Sequence, residues 1–142
     1  MPYATLADLI ERAGPSEIVD VADRDGDMIP DAAVIAAAIE AADQTVNGYL
    51  GVRYALPLTA VPPLVGKWAV SIARYHLHRD GAPDYVVRDY KDALAELRDA
   101  GAGRLALPGL DGSTPAASPS AGRVWTESDP RAFSDEALDG WR

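Results

Sequence analysis

The stretch of this chain whose residue types could bind an ion is Asp23-Arg24-Asp25-Gly26-Asp27. Carboxylates at alternate positions of a turning loop are how calcium loops of the EF-hand kind begin to surround the ion. The residues that follow depart from that pattern. Met28 stands where the sharp turn wants glycine, Pro30 comes next, and Val34 occupies the position of the closing bidentate glutamate. Two readings follow: a weak calcium site on Asp23, Asp25 and Asp27, or a solvated acidic turn whose aspartates cap the next helix. His76 and His78 are two apart, hence roughly 200° apart around a helix axis, and cannot chelate one metal together. His76 is expected to close an apolar stripe and His78 to be exposed. The chain has no GxSxG, no phosphate-binding loop, no HExxH and no cysteine, so it is read as a non-enzyme that needs no cofactor.

Two other groups have the chemistry of recognition. Arg53 and Tyr54 are the polar handles of a short apolar connector, Tyr49–Leu58. They either tie that connector to a helix end or make a subunit contact, since Arg and Tyr are enriched at interface anchors. Near the end of the chain, Val124, Trp125, Phe133, Leu138 and Trp141 form spaced apolar anchors with polar residues between them, and Arg123 beside them is a further partner-binding candidate. Large aromatics on a tether are costly to leave in water, which favours docking on another subunit over folding back on the chain's own core.

Helices must position these groups. Pro62–Asp80 is apolar around much of its circumference at helical spacing (Val65, Ala69, Ile72 and His76 on one stripe, Trp68, Ile72 and Tyr75 on another), the pattern of a central helix packed on several sides. Pro62 and Pro63 suit its first turn, and Gly81 is expected to supply a left-handed C-cap. Asp31–Leu50 reads as a long alanine-rich helix with Ile35, Ile39, Ala42, Val46 and Tyr49 inward. Asp84–Ala100 reads as another, with Val86, Tyr90, Ala93, Leu94 and Leu97 inward and i,i+4 pairs of Arg88 with Asp84 and Asp92. Ahead of them, Thr5-Leu6-Ala7-Asp8 resembles a capping box opening a short helix that Gly14-Pro15 ends, and Ser16 is expected to cap a further turn. From Arg104 onward, proline, glycine and serine replace this pattern. The expected architecture is all-α: a small bundle of about three main helices plus short N-terminal helices, with an extended C-terminal arm. Its divisions are a helical domain over 1–102, a linker over 103–122 and a docking arm over 123–142.

With 142 residues and a net charge of −9, the chain suits one compact domain with an appendage. Its negative surface repels phosphates and disfavours ordinary nucleic-acid binding, though repulsion would suit a conduit through which DNA slides without sticking. No apolar run approaches a membrane span and no leader pattern opens the chain, so a cytoplasmic, unprocessed protein is expected.

Laid end to end, YATLADLIERAG, DRDGD, GYLGVRYALPL, PPLVGKWAVSIARYHL, the Tyr90–Leu97 helix and the closing RAFSDEALDGW resemble one family. It is the small helical protein encoded among the head genes of Mu-like phages and prophages. The resemblance implies a head–tail connector, or adaptor, made in the host cytoplasm and resident in the virion neck. Such proteins form a homo-oligomeric ring, typically of twelve copies, beneath the portal protein. The ring extends the channel for passing DNA without binding it specifically, and offers a surface to the next neck or tail-completion protein. No membrane partner is implied. The alternative that the residues leave open is a calcium-binding helical interaction module built on Asp23–Asp27.

Overall fold

The computed structural model describes residues 1–110. Every regular element among them is helical: α1 (Leu6–Ala13), α2 (Pro15–Ala22), α3 (Ala32–Leu50), α4 (Pro63–Leu77) and α5 (Asp84–Gly101). None is long and apolar enough to cross a membrane.

The start of α1 follows from its sequence. The Thr5 hydroxyl accepts from the Asp8 amide while the Asp8 carboxylate accepts from the Thr5 amide at 2.8 Å, a reciprocal cap that satisfies two otherwise orphaned donors. Gly14, at φ 87°, ends α1 and begins α2, with Pro15 in the first turn. The expected Ser16 cap does not form: the fixed φ of Pro15 already starts the helix one residue earlier, leaving Ser16 inside it. Each helix is a little over two turns long, too short to persist alone. Leu9, Ile18 and Ala22 are wholly buried and join the common core.

The central position of α4 is as its pattern predicts. It packs on α3, α5 and α1, and Val65, Trp68, Ala69, Ile72, Ala73 and Leu77 are at most 1% exposed. Small residues on α3 (Ala38, Ala42) let that helix lie close, with Ile35, Val46 and Leu50 completing its inward face. Trp68 of α4 donates to Glu96 of α5 at 2.6 Å, and Tyr75 stacks on Tyr90 at 3.9 Å. An early residue of α4 thus meets a late one of α5, so the two run antiparallel. The C-terminal ends of α3 and α5 meet where Gly101 passes Tyr49. A Cβ on Gly101 would stand 2.5 Å from the Tyr49 carbonyl oxygen, so only glycine permits this approach. Gly101, the last residue of α5, is thus also a contact with α3.

Four local expectations are corrected. The end of α4 is set by His78, not Gly81: the His78 amide bonds to Tyr75 and its Nδ1 donates to the Arg74 carbonyl at 2.9 Å. Gly81 keeps a positive φ of 110°, but in the following turn. The two histidines exchange places, with His76 exposed against the edges of Tyr75 and Tyr90 and His78 turned inward beside Arg74. The loop aspartates do not cap α3: Asp23, Asp25 and Asp27 accept amides of their own loop, and Asp31, at the N-cap position, accepts from the Arg24 amide at 2.8 Å. The i,i+4 pairs of Arg88 do not form; the α5 aspartates that pair are Asp89, with Arg12 of α1 at 3.0 Å, and Asp99, with Arg104 at 2.6 Å. Beyond α5, Leu107 is buried and Leu105 and Leu110 pack on the core. Residues that pack on the core therefore extend to Leu110. The rest of the expected linker and the whole docking arm, 111–142, lie outside the described residues.

Candidate functional site

Three places bring chemistry together. The first is the acidic loop between α2 and α3. Side-chain oxygens of Asp23, Asp25 and Asp27 lie within 4.8 Å of one another. All three already accept backbone amides of the loop: Asp23 from Gly26 (2.7 Å) and Met28 (2.9 Å), Asp25 from Asp27 (3.2 Å), and Asp27 from Ile29 (2.8 Å). The Gly26 amide and its companions hold the Asp23 carboxyl below its usual range. Asp25 is drawn down by the Asp27 amide, but desolvation, the charges of Asp27 and Asp31 and its bond with Asp23 push it above its usual value. Met28 takes φ 69°, the left-handed conformation that glycine holds at the matching position of a calcium loop. Val34 lies in the first turn of α3 and brings no carboxylate to close the ring of oxygens. The loop therefore has the backbone turn of such a site and only part of its ligand set.

The second place is the junction of α2, α4 and α5, which sequence reading missed. Arg74 on α4 is 7% exposed and donates from Nε and Nη2 to the two carboxylate oxygens of Glu17, at 2.7 and 2.6 Å. Its guanidinium also lies 5.2 Å from the centre of the Tyr85 ring, and His78 Nε2 stands 3.7 Å from Glu17 Oε1. The Glu17 hydrogen bonds raise the Arg74 pKa against the opposing effect of burial. No described buried side-chain polar atom lacks a partner. This cluster is saturated, and what it does is clamp helices. The signal available in the sequence was an arginine set within IARY, on a helix apolar nearly all round; such a residue is buried only if paired.

The third place is a groove of about 640 Å³ between the N-terminal segment, α1 and the first turns of α4. Val61, Pro62, Pro63 and Val70 give it apolar walls; Asp8, Glu11, Arg12 and Lys67 stand at its edges. One wall is pinned by Tyr3, whose amide donates to Asp43 (3.0 Å) and whose hydroxyl donates to Asn47 (2.5 Å). Burial and then the charge of Asp43 raise the Tyr3 pKa, and burial raises that of Asp43. A smaller hollow of about 110 Å³ continues from it past Arg12 and Lys67 towards Asp89 and Asp92.

Of the residues singled out for partner binding, Tyr54 is 6% exposed and belongs to the chain's own core. Arg53 is half-buried and lies across Gly103, at the end of α5. Arg53 thus meets the chain just past α5, and the connector exposes apolar side chains at Val52 and Leu56. Arg123, Trp125, Phe133, Leu138 and Trp141 lie outside the described residues.

Comparison with known proteins extends these observations. The family model described as Bacteriophage Mu, Gp36 matches residues 3–126. The chain is 34% identical over 109 residues to the Mu-like prophage FluMu protein gp36 of Haemophilus influenzae, a match covering 72% of this chain and 77% of that one. It is 32% identical over 136 residues to Gene product J of Escherichia phage Mu, covering 94% and 95%.

Proposed function

This chain belongs to the bacteriophage Mu Gp36 family, and on that premise we propose that it is a head–tail connector of a Mu-like phage or prophage. The resemblance read from the sequence holds at the level of the family. The connector role, the ring of about twelve copies under the portal, and the place in the virion neck are the further content of the proposal.

The observation that carries it is a family match running through nearly the whole chain, from residue 3 to residue 126. Three physical features support it. The described body is a small helical bundle whose buried polar groups are already paired, an architecture suited to scaffolding. The net charge of −9 suits the wall of a channel that DNA must traverse without adhering. The aromatic anchors beyond residue 122 give the chain a means of reaching a neighbour. Trp125, Phe133, Leu138 and Trp141 dock on the portal, and apolar burial offsets the cost of ordering the tether. Many weak contacts on one template then act together, so the ring forms on the portal and not in free solution.

Mass spectrometry of purified virions tests the assignment: the protein should be present at near-portal copy number, and its absence from particles would refute it. Truncation after Gly122 tests the arm. The shortened chain should keep its helical circular dichroism and fail to join the portal; normal assembly would exclude the arm's role.

A further inference from the structure

We propose that the groove between α1 and the first turns of α4 is a receptor for Val124–Trp125 of the same chain. The groove has the volume of sites that take a ligand of several rings, about 640 Å³. Its apolar side is built from Val61, Pro62, Pro63 and Val70. Val61 is 40% exposed, which leaves apolar surface open to water where an indole would cover it. Glu11 and Lys67 place opposite charges at the edges, and neither forms an ion pair among the described residues.

The segment matches this arrangement. It reads Arg123-Val124-Trp125-Thr126-Glu127. In an extended chain, residues two apart share a face, so Arg123, Trp125 and Glu127 would point the same way. An indole on the apolar wall would then be flanked by a cation that Glu11 can meet and a carboxylate that Lys67 can meet.

Reach selects the occupant. The residues that follow α5 lie at the end of the bundle where Arg53 covers Gly103, and the connector containing Arg53 runs on to Val61 and Pro62. The described chain stops at Leu110, leaving Asp111–Gly122 before the segment. Twelve residues span at most about 40 Å and about 20 Å as a coil, against a bundle whose longest helix is about 28 Å. A tether of that length holds the segment near its own groove at about millimolar effective concentration, well above that of a neighbouring copy in dilute solution. The contact deepens the connector reading by giving one anchor a resting place before assembly, yet it exists whether or not a ring ever forms.

The test uses the full chain with ¹⁵N-labelled tryptophan indoles, three in number, with Trp125 identified by Trp125→Phe. The Trp125 indole resonance should lie away from the random-coil position, stay there on tenfold dilution, and move to random coil in Val61→Asp. The Trp68 resonance reports whether the bundle is intact. If Val61→Asp disturbs it, Lys67→Glu at the exposed edge takes its place and should shift Trp125 part of the way. A random-coil Trp125 in the native chain, or one indifferent to both variants while Trp68 is unmoved, overturns the proposal. So does an indole–Val61 nuclear Overhauser effect arising only between differently labelled copies. Absence of this contact from the native chain, with assembly on the portal intact, would refute the groove and leave the connector standing.

Discussion

The two ends of the bundle are held by opposite chemistry. Where α2 meets the end of α4, the joint is ionic: Arg74 and Glu17 face each other bidentately in a nearly dry place. Where α3 and α5 meet at their C-terminal ends, the joint is steric: the Tyr49 carbonyl sits where a side chain on Gly101 would be. An ionic joint tolerates a change of shape better than the loss of one partner, because a lone buried charge costs several times what the pair contributes. A steric joint has no charge to lose and tolerates no added atom. The difference shows how a short chain can fix five helices without a disulfide, using directional bonds at one end and close approach at the other.

Glu17→Ala gives the largest expected effect. It strands the Arg74 guanidinium and should cost about 3–5 kcal/mol in urea unfolding. Replacing both partners with apolar residues, Glu17→Leu with Arg74→Met, should recover most of that loss; if the double variant is no better than the single one, the ionic account of this end is wrong. Gly101→Ala comes next, at about 1–3 kcal/mol, since α3 and α5 must separate to admit a methyl group. A neutral result would show that the opposite end has room to spare.

Thr5→Ala should cost about 1 kcal/mol by removing the α1 cap. It should also alter the pH profile. The side-chain bond from Thr5, then the Thr5 amide, hold the Asp8 carboxyl below its usual value. Asp8 therefore binds fewer protons folded than unfolded in that window. Its contribution is complete above the unfolded carboxyl value and fades as pH falls through the lowered folded one. The variant should lose part of that acid sensitivity, a small change because Asp8 is exposed to solvent. The smallest effect has the opposite sign. Met28→Gly relieves a left-handed residue and should add a few tenths of a kcal/mol, up to about 1; a loss would mean that the exposed Met28 side chain makes contacts of its own.

What was legible in the sequence follows the same division. Periodicity and caps act over one or two turns, so α3, α4, α5 and the Thr5–Asp8 cap could be read directly. The Arg74–Glu17 clamp spans 57 positions, and no local pattern announces it. The role of Gly101 against Tyr49 likewise depends on two helices meeting. The histidines were assigned from stripes on α4 alone, whereas their placement depends on what lies opposite: Glu17 across from His78, and Tyr90 against the edge of His76. Of the residues expected to bind partners, Tyr54 is buried in the core and Arg53 lies against Gly103, fifty positions away, so their surroundings are set by segments far apart in the chain. The groove was invisible for a related reason, since Val61, Tyr3 and Val70 come from three separate segments.

The placement of Arg53 over Gly103 has a mechanical side. The guanidinium presses on the backbone so closely that no side chain fits between them, and Leu107 a few residues later is sunk in the core. A pull on the chain beyond Leu110 would meet those two attachments before loading the helix ahead of them. The connector from α3 to α4 would take up the strain along with α5, so traction at one terminus would be shared among three rods instead of unravelling one.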